Sequence, residues 1–250
     1  LAGIKEVDKE SFINLKLSNS IMEVLNSIPI RLELEEVLKQ LHQDKENKYI
    51  ERIIQELIEI VQPIVKPKAI YKVSYVENKN EDSLYIDGVR FTSRILRVNL
   101  DKVERVFPYV VTCGRELDEV AVPSDDYMKY FCLDVIKEMA LNSSIKYLTD
   151  YLKRNYALGQ VSKMLPGSLK DWPITQQKEL FSIFGNVEDL IGVKLTDNFL
   201  MIPVKSVSGI CFPTEIKFES CQLCPREACS GRRAPYDPDL VKEYKEKIVG

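Results

Sequence analysis

Three cysteines near the C-terminal end, Cys221-x-x-Cys224-x-x-x-x-Cys229, are the densest group of reactive side chains in this sequence. Thiolates at this spacing can wrap one soft metal centre. A closed tetrahedral zinc site needs a fourth ligand, and Cys211, on the strand that precedes the cluster, is the candidate. The same thiolates suit an iron–sulfur cluster. Arg226, Arg232 and Arg233 stand among and just after them. Their charge would lower thiol pKa values and offset the negative charge of such a centre. Free or redox-active thiols are the third alternative. The one histidine, His42, is remote from the cluster and reads as a surface residue.

A second, looser set is Glu138, Lys163, the turn Pro166-Gly167-Ser168, and Lys205-Ser206. Gathered in one cleft, these residues would suit a zwitterionic ligand. A lysine pairs with a carboxylate, a carboxylate faces an ammonium, and glycine lets backbone approach closely. On spacing alone the plainer alternative is a turn, a solvated lysine and a helix-surface carboxylate.

The chain that must position these groups has 250 residues and 45% hydrophobic content, enough to fill the core of one large domain. Its formal net charge of −3 gives no general attraction to nucleic acid or to an acidic membrane. No apolar run approaches the roughly 18 residues of a membrane span. No signal-peptide pattern opens the sequence, so a cytoplasmic location is expected. Cysteines clustered in such a chain point to metal or redox chemistry more than to disulfides.

Helical spacing of Ile21, Val24, Leu25 and Ile28 ends before Pro29. A short strand at Ile30–Leu32 turning into a helix near Glu35 is expected next. Asp44 is placed to cap a helix with Ile50, Ile53, Ile54, Leu57, Ile58 and Val61 on one face, stopped by Pro63. Ile70–Val76 has strand composition. Leu84–Ile86, Asp87-Gly88 and Val89–Phe91 spell a hairpin with a type I′ turn. Val106–Thr112 reads as a strand, and Glu116, Asp118 and Glu119 as a solvated acidic patch. Ser124 or Asp125 should cap a long helix to about Tyr156, with Met128, Phe131, Cys132, Val135, Ile136, Met139 and Ala140 as its apolar stripe. Thr175 should cap a short helix through Phe184. Phe199–Ile202 and Val204–Cys211 read as strands around Pro203, and the charged tail as an exposed helix. Hairpins without regular βα alternation argue for α+β architecture. No dinucleotide-type GxGxxG and no P-loop occurs.

In this frame several segments look familiar. Val110-Val111-Thr112-Cys113-Gly114-Arg115-Glu116-Leu117 resembles a Thr-x-Gly-x-Glu-Leu motif. Leu165-Pro166-Gly167 is followed by Asp171-Trp172-Pro173 and Gln177. Ile191-Gly192-Val193-Lys194-Leu195-Thr196 and Met201-Ile202-Pro203-Val204-Lys205-Ser206-Val207-Ser208-Gly209 complete the set. In order and spacing, about Tyr71 to Gly209 resembles the stand-alone activation (reactivation) domain of cobalamin-dependent methionine synthase. The closing cysteines and arginines resemble the tail of stand-alone members.

That resemblance implies an α+β fold with a twisted antiparallel sheet and flanking helices. It implies an uncertain extension over 1–30, the activation-like domain over 31–211, and a Cys-rich tail over 212–250. The implied ligand is S-adenosylmethionine, used in reductive methylation of cob(II)alamin. Cobalamin would sit on a partner corrinoid-binding methyltransferase, with an electron from a donor such as flavodoxin or ferredoxin. Glu138 would face the methionyl part of the ligand, and Pro166 and Gly167 would give backbone contacts. Lys163 stands where the family has arginine, and Ser168 where it has tyrosine. Because both departures lie in the ligand motif, two alternatives remain beside the first. One is an iron–sulfur redox activator of another corrinoid protein. The other is a non-catalytic zinc-containing protein that docks a partner.

Overall fold

The structure, a computed structural model, describes residues 21–41, 47–229 and 231–249. His42 and Asp44 lie outside them. The backbone runs β1 (Met22–Leu25), α1 (Leu34–Gln40), α2 (Lys48–Val61), β2 (Lys68–Lys72), β3 (Ser74–Lys79), β4 (Ser83–Ile86), β5 (Val89–Thr92), α3 (Arg94–Asn99) and β6 (Arg105–Thr112). It continues with α4 (Tyr127–Asn155), β7 (Val161–Met164), α5 (Gln177–Ser182), α6 (Val187–Ile191), β8 (Lys194–Leu195), β9 (Met201–Ile202), β10 (Ser206–Pro213) and α7 (Pro238–Val249).

Strand β6 is the spine of a twisted, wholly antiparallel sheet. On one side β10 pairs with it from Ser206↔Thr112 to Cys211↔Phe107, and β7 pairs with β10's outer edge. On the other side Lys68↔Thr112 and Tyr75↔Arg105 share one register, so β2 and β3 behave as one strand interrupted at Val73. There Val73 N–H donates to Ile21 O, and β1 adds to β2. The β4–β5 hairpin adds to β3. Its turn has positive φ at both Asp87 (49°) and Gly88 (76°), as a type I′ turn requires.

Side-chain alternation divides the core between the two faces. Phe107, Tyr109, Val111 and Cys211 point to one face, covered by α1, α2 and α4. Val106, Val110, Ile210, Phe212 and Met164 point to the other, covered by α3, α5, α6 and the tail. The predicted apolar face of α2 is the one that is buried, with Asn47 as the side-chain cap. Asp126 caps α4. Cys132, Ile136 and Ala140 of the predicted α4 stripe are buried, but Met128 and Phe131 in its first turns are exposed.

Four local expectations are corrected. Met22–Leu25 is a strand, because Glu23 accepts hydrogen bonds from Tyr71 and Tyr151 and β2 offers a free edge. Ile30–Leu32 forms no strand; the amide of Gln62 holds it, accepting from Leu32 N and donating to Ile30 O. Thr175 caps nothing: it lies within the 3₁₀ turn Ile174–Gln176, and α5 starts after Gln176 with no side-chain cap. The tail helix is only partly exposed, since Tyr244 is buried, stacks on Phe218 and donates to Asn99.

One contact sets how closely β7 approaches β10. A Cβ built on Gly209 would lie 2.6 Å from the carbonyl oxygen of Met164 and 3.0 Å from the Tyr109 hydroxyl. Gly159, by contrast, faces open space. Gly209→Ala is expected to lower unfolding stability by about 1–3 kcal/mol in urea titrations, because the clash is with backbone. Gly159→Ala should stay within about 0.5 kcal/mol of wild type or slightly above it.

Candidate functional site

The register fixes which groups meet at one end of the sheet. The C-terminal ends of β6 and β7 and the N-terminal end of β10 all finish there. That end carries Thr112, the turn after Met164, and Lys205-Ser206.

Lys205 is the centre of the charge at this end. Its Nζ lies 2.9 Å from Asp134 Oδ2 and 3.4 Å from Glu138 Oε2. Asp134 and Glu138 are four residues apart on α4, so both carboxylates project from one helix face. Burial alone would lower the Lys205 pKa. The hydrogen bond and charge of Asp134, with Glu138, outweigh it and raise the net value. Ser206 donates to Pro203 O at 2.7 Å, and its hydroxyl lies 3.0 Å from that of Thr112, which ties the start of β10 to β6.

The Pro166-Gly167-Ser168 turn is closed on itself. Gly167 N–H donates to Trp172 O and Ser168 N–H to Leu165 O. Any polar contact from the backbone of Gly167 or Ser168 to a ligand would therefore come from carbonyl oxygens. Gly167 has φ 84°, and a Cβ there would meet Ile174 at 2.8 Å. Ser168 Oγ donates to Leu165 O and lies 3.2 Å from Ser220 Oγ in the tail. The rest of the loop is clamped to the hairpin. Asp171 accepts from Ser93 Oγ and from Ile95 N at the start of α3. The Gln176 amide pairs with Thr92 N (3.0 Å) and O (3.1 Å), and also accepts from the Trp172 indole.

Beside the turn, the buried Gln177 amide donates to Ser208 Oγ at 3.1 Å, but its Oε1 has no partner among the described residues. An unpaired buried acceptor is costly unless something supplies a donor. Sequence reasoning missed both Gln177 as a polar group and Asp134. The i, i+4 spacing of Asp134 and Glu138 was the readable signal for the second.

Glu138 and Lys205 are thus brought together, and Lys163 is not brought to them. Lys163 faces α4 from β7, with its Nζ 3.4 Å from Thr149 Oγ1. Thr149 is eleven residues from Glu138, about 16 Å along a helix. Burial lowers the Lys163 pKa, only partly countered by the neighbouring Cys211 and Glu219.

The cysteines divide between core and tail. Cys211 is 1% exposed in the core under α4, where burial pushes its thiol up to about 12. Cys221, Cys224 and Cys229 lie in the tail, and among the described residues no three Cys, His, Asp or Glu side chains are grouped to hold a metal ion. The four-cysteine set therefore does not fit one metal centre as arranged. An arginine organises this loop. Arg232 donates to the carbonyls of Cys221 (3.0 Å), Cys224 (3.1 Å), Ala234 (3.1 Å) and Arg226. Burial would raise the Cys221 thiol, but N–H groups of Arg233 and Ala234 and the Arg233 charge bring it below its ordinary value.

A groove of about 1100 Å³ is at the opposite end of the sheet and is lined by Arg97, Asp101, Glu104, Gln160, Thr214 and Lys247 among others. It contains none of the candidate site residues. Among the described residues no helix is long and apolar enough to cross a membrane.

No protein-family model matches the chain, and no curated protein matches it. Among solved structures it is similar to the MetH reactivation domain bound to AdoHcy. The TM-score is 0.52 at 15% identity, over 80% of this chain and 81% of that one. The chain has that fold, α+β with helices on both faces of a twisted antiparallel sheet.

A lysine with a raised folded-state pKa stabilises the fold fully below its unfolded value and loses that contribution as pH rises through the folded one. The stability that Lys205 adds is thus present at neutral pH and fades above the ordinary lysine value of about 10.4. The difference between wild type and Lys205→Met in urea unfolding is expected to shrink from about pH 9 to about pH 11.5. A difference that stays flat over that range would contradict the ion cluster.

Proposed function

We propose that this chain binds S-adenosylmethionine at the Pro166–Gly167 end of the sheet and serves as an activation subunit for a corrinoid-dependent methyltransferase. The observation that carries the reading is the cluster of Lys205, Asp134 and Glu138 at the end of the sheet where β7 runs into that turn, in a fold shared with a reactivation domain bound to AdoHcy.

The cluster holds one cation between two carboxylates, so it has a carboxylate in excess. An amino-acid zwitterion matches this arrangement. Its carboxylate would pair with Lys205, and its ammonium with Glu138 and Asp134. The chain's own ion pairs would be exchanged for pairs with the ligand, which limits the desolvation cost. Carbonyl oxygens of the turn would accept from an amine. Lys163 has no role in this set, because its ammonium is turned to Thr149.

S-adenosylmethionine would supply an electrophilic methyl group there, for a cobalamin carried and reduced outside this chain by a corrinoid protein and a donor such as flavodoxin or ferredoxin. The chain's part is to bind and orient. Tyr127 and Phe131 are exposed on the same stripe of α4 as Asp134 and Glu138, and Val204 is exposed next to Lys205. These apolar groups around a charged site suit a partner that closes over it.

Calorimetric titration with S-adenosylmethionine or S-adenosylhomocysteine should show saturable binding. Glu138→Gln and Lys205→Met should each weaken it by about tenfold or more, about 1.4 kcal/mol. Lys163→Met should leave it within about twofold. Absence of binding at millimolar ligand, or weakening only by Lys163→Met, would overturn this reading.

A further inference from the structure

We infer that Cys221 and Cys224 form a thiol–disulfide exchange pair for an anionic low-molecular-weight disulfide, with Cys221 making the first attack. This site is separate from the ligand site above and does not depend on it.

The backbone already holds the two residues at bridging distance. Cys224 N–H donates to Cys221 O at 3.3 Å, closing the last turn of the 3₁₀ segment Ser220–Leu223. The ends of such a turn lie within about 7 Å of one another, and disulfides join Cα atoms about 4.4–6.8 Å apart. A bridge therefore needs little backbone movement. Both thiols are free and partly exposed, whereas Cys113, Cys132 and Cys211 are buried.

Two arginines give the turn its form. Arg232 fixes the carbonyls of both cysteines, so the loop is ordered by hydrogen bonds of its own chain. Arg233 N–H donates to Cys221 Sγ at 3.4 Å, which singles out this sulfur and fixes its direction. The Arg233 side chain is 47% exposed and shares the Glu219 carboxylate with Lys217, which is 57% exposed. Arg226 is also exposed. With Arg232, Glu227 and Asp237 (whose N–H donates to Gln222 O) included, the four bases Lys217, Arg226, Arg232 and Arg233 stand against the three acids Glu219, Glu227 and Asp237, a net charge of +1 around the turn. That charge favours an anionic disulfide over a cationic one.

The step balances without any other reactant. The Cys221 thiolate forms a bond to one sulfur of the substrate disulfide and breaks its S–S bond. The departing sulfur leaves as a thiolate and takes up the proton that Cys221 gave up. The Cys224 thiolate then attacks Cys221 Sγ in the mixed disulfide and expels the second substrate thiol. Two cysteine thiols are oxidised by two electrons, and one substrate disulfide becomes two thiols.

The test uses the reduced full-length chain with glutathione disulfide as the anionic probe and cystamine as the cationic one. With glutathione disulfide the protein should lose two hydrogens in mass, and peptide mapping should find the Cys221–Cys224 bridge. Cys224→Ser should stop at a glutathione adduct on Cys221. Cys221→Ser should slow the first reaction by at least about tenfold. Cystamine should react more slowly than glutathione disulfide. A wild-type chain that forms no Cys221–Cys224 bridge, or an adduct that settles on Cys229 at an unchanged rate in Cys221→Ser, would overturn the inference. The mapping is done on wild type, so the result holds whether or not the variants fold.

Discussion

The close contact of β10 with β7 at Gly209 is the constraint on which the rest of this end of the molecule depends. With hydrogen at Cα, β10 can pair fully on both edges, to β6 and to β7. That pairing carries the chain from Met164 directly into the Pro-Gly turn beside Ser208. It also delivers Lys205, just before the strand begins, to the carboxylates of α4. The turn is then held from behind, where Asp171, Trp172 and Gln176 lock it to the hairpin and to α3. A site built this way stands on a rigid base and needs few residues of its own.

Where local chemistry decides structure, the sequence was readable. Asp87-Gly88 can hardly be anything but the turn it is, and the face of α2 is plain from the spacing of its isoleucines. Met22–Leu25 was not readable, because its helical spacing is weak and its strand state comes from long-range bonds. Glu23 meets Tyr71 and Tyr151, which lie 48 and 128 residues away. The same holds for Ile30–Leu32, held by one distant glutamine amide.

The candidate site divides in the same way. Glu138, Lys205 and the Pro-Gly turn were grouped by their chemistry as a possible zwitterion cleft, and two of the three meet directly. Asp134 was available from helix periodicity but carries no motif. Lys163 could not be oriented from sequence, since strand parity at β7 depends on a register that only the fold sets. Cys211 presents the same difficulty: one residue along β10 in either direction would have turned its thiol to the other face. The role of Arg232 as the organiser of the cysteine loop is a matter of carbonyl directions, which have no sequence signature.

The molecule thus carries two polar centres of different kinds. A zwitterion-matching ion cluster stands at the sheet's end on the α4 side, and a dithiol turn lies in the tail, which packs on the opposite face of the sheet. The Ser168–Ser220 contact joins their loops. The most direct measurement of the central claim is a crystal structure of the chain with S-adenosylhomocysteine. Density for the ligand's amino-acid end against Lys205, Asp134 and Glu138 is the predicted result. Ligand density in the groove between Arg97, Glu104 and Thr214 at the far end of the sheet, with the Lys205 cluster unchanged, would contradict it.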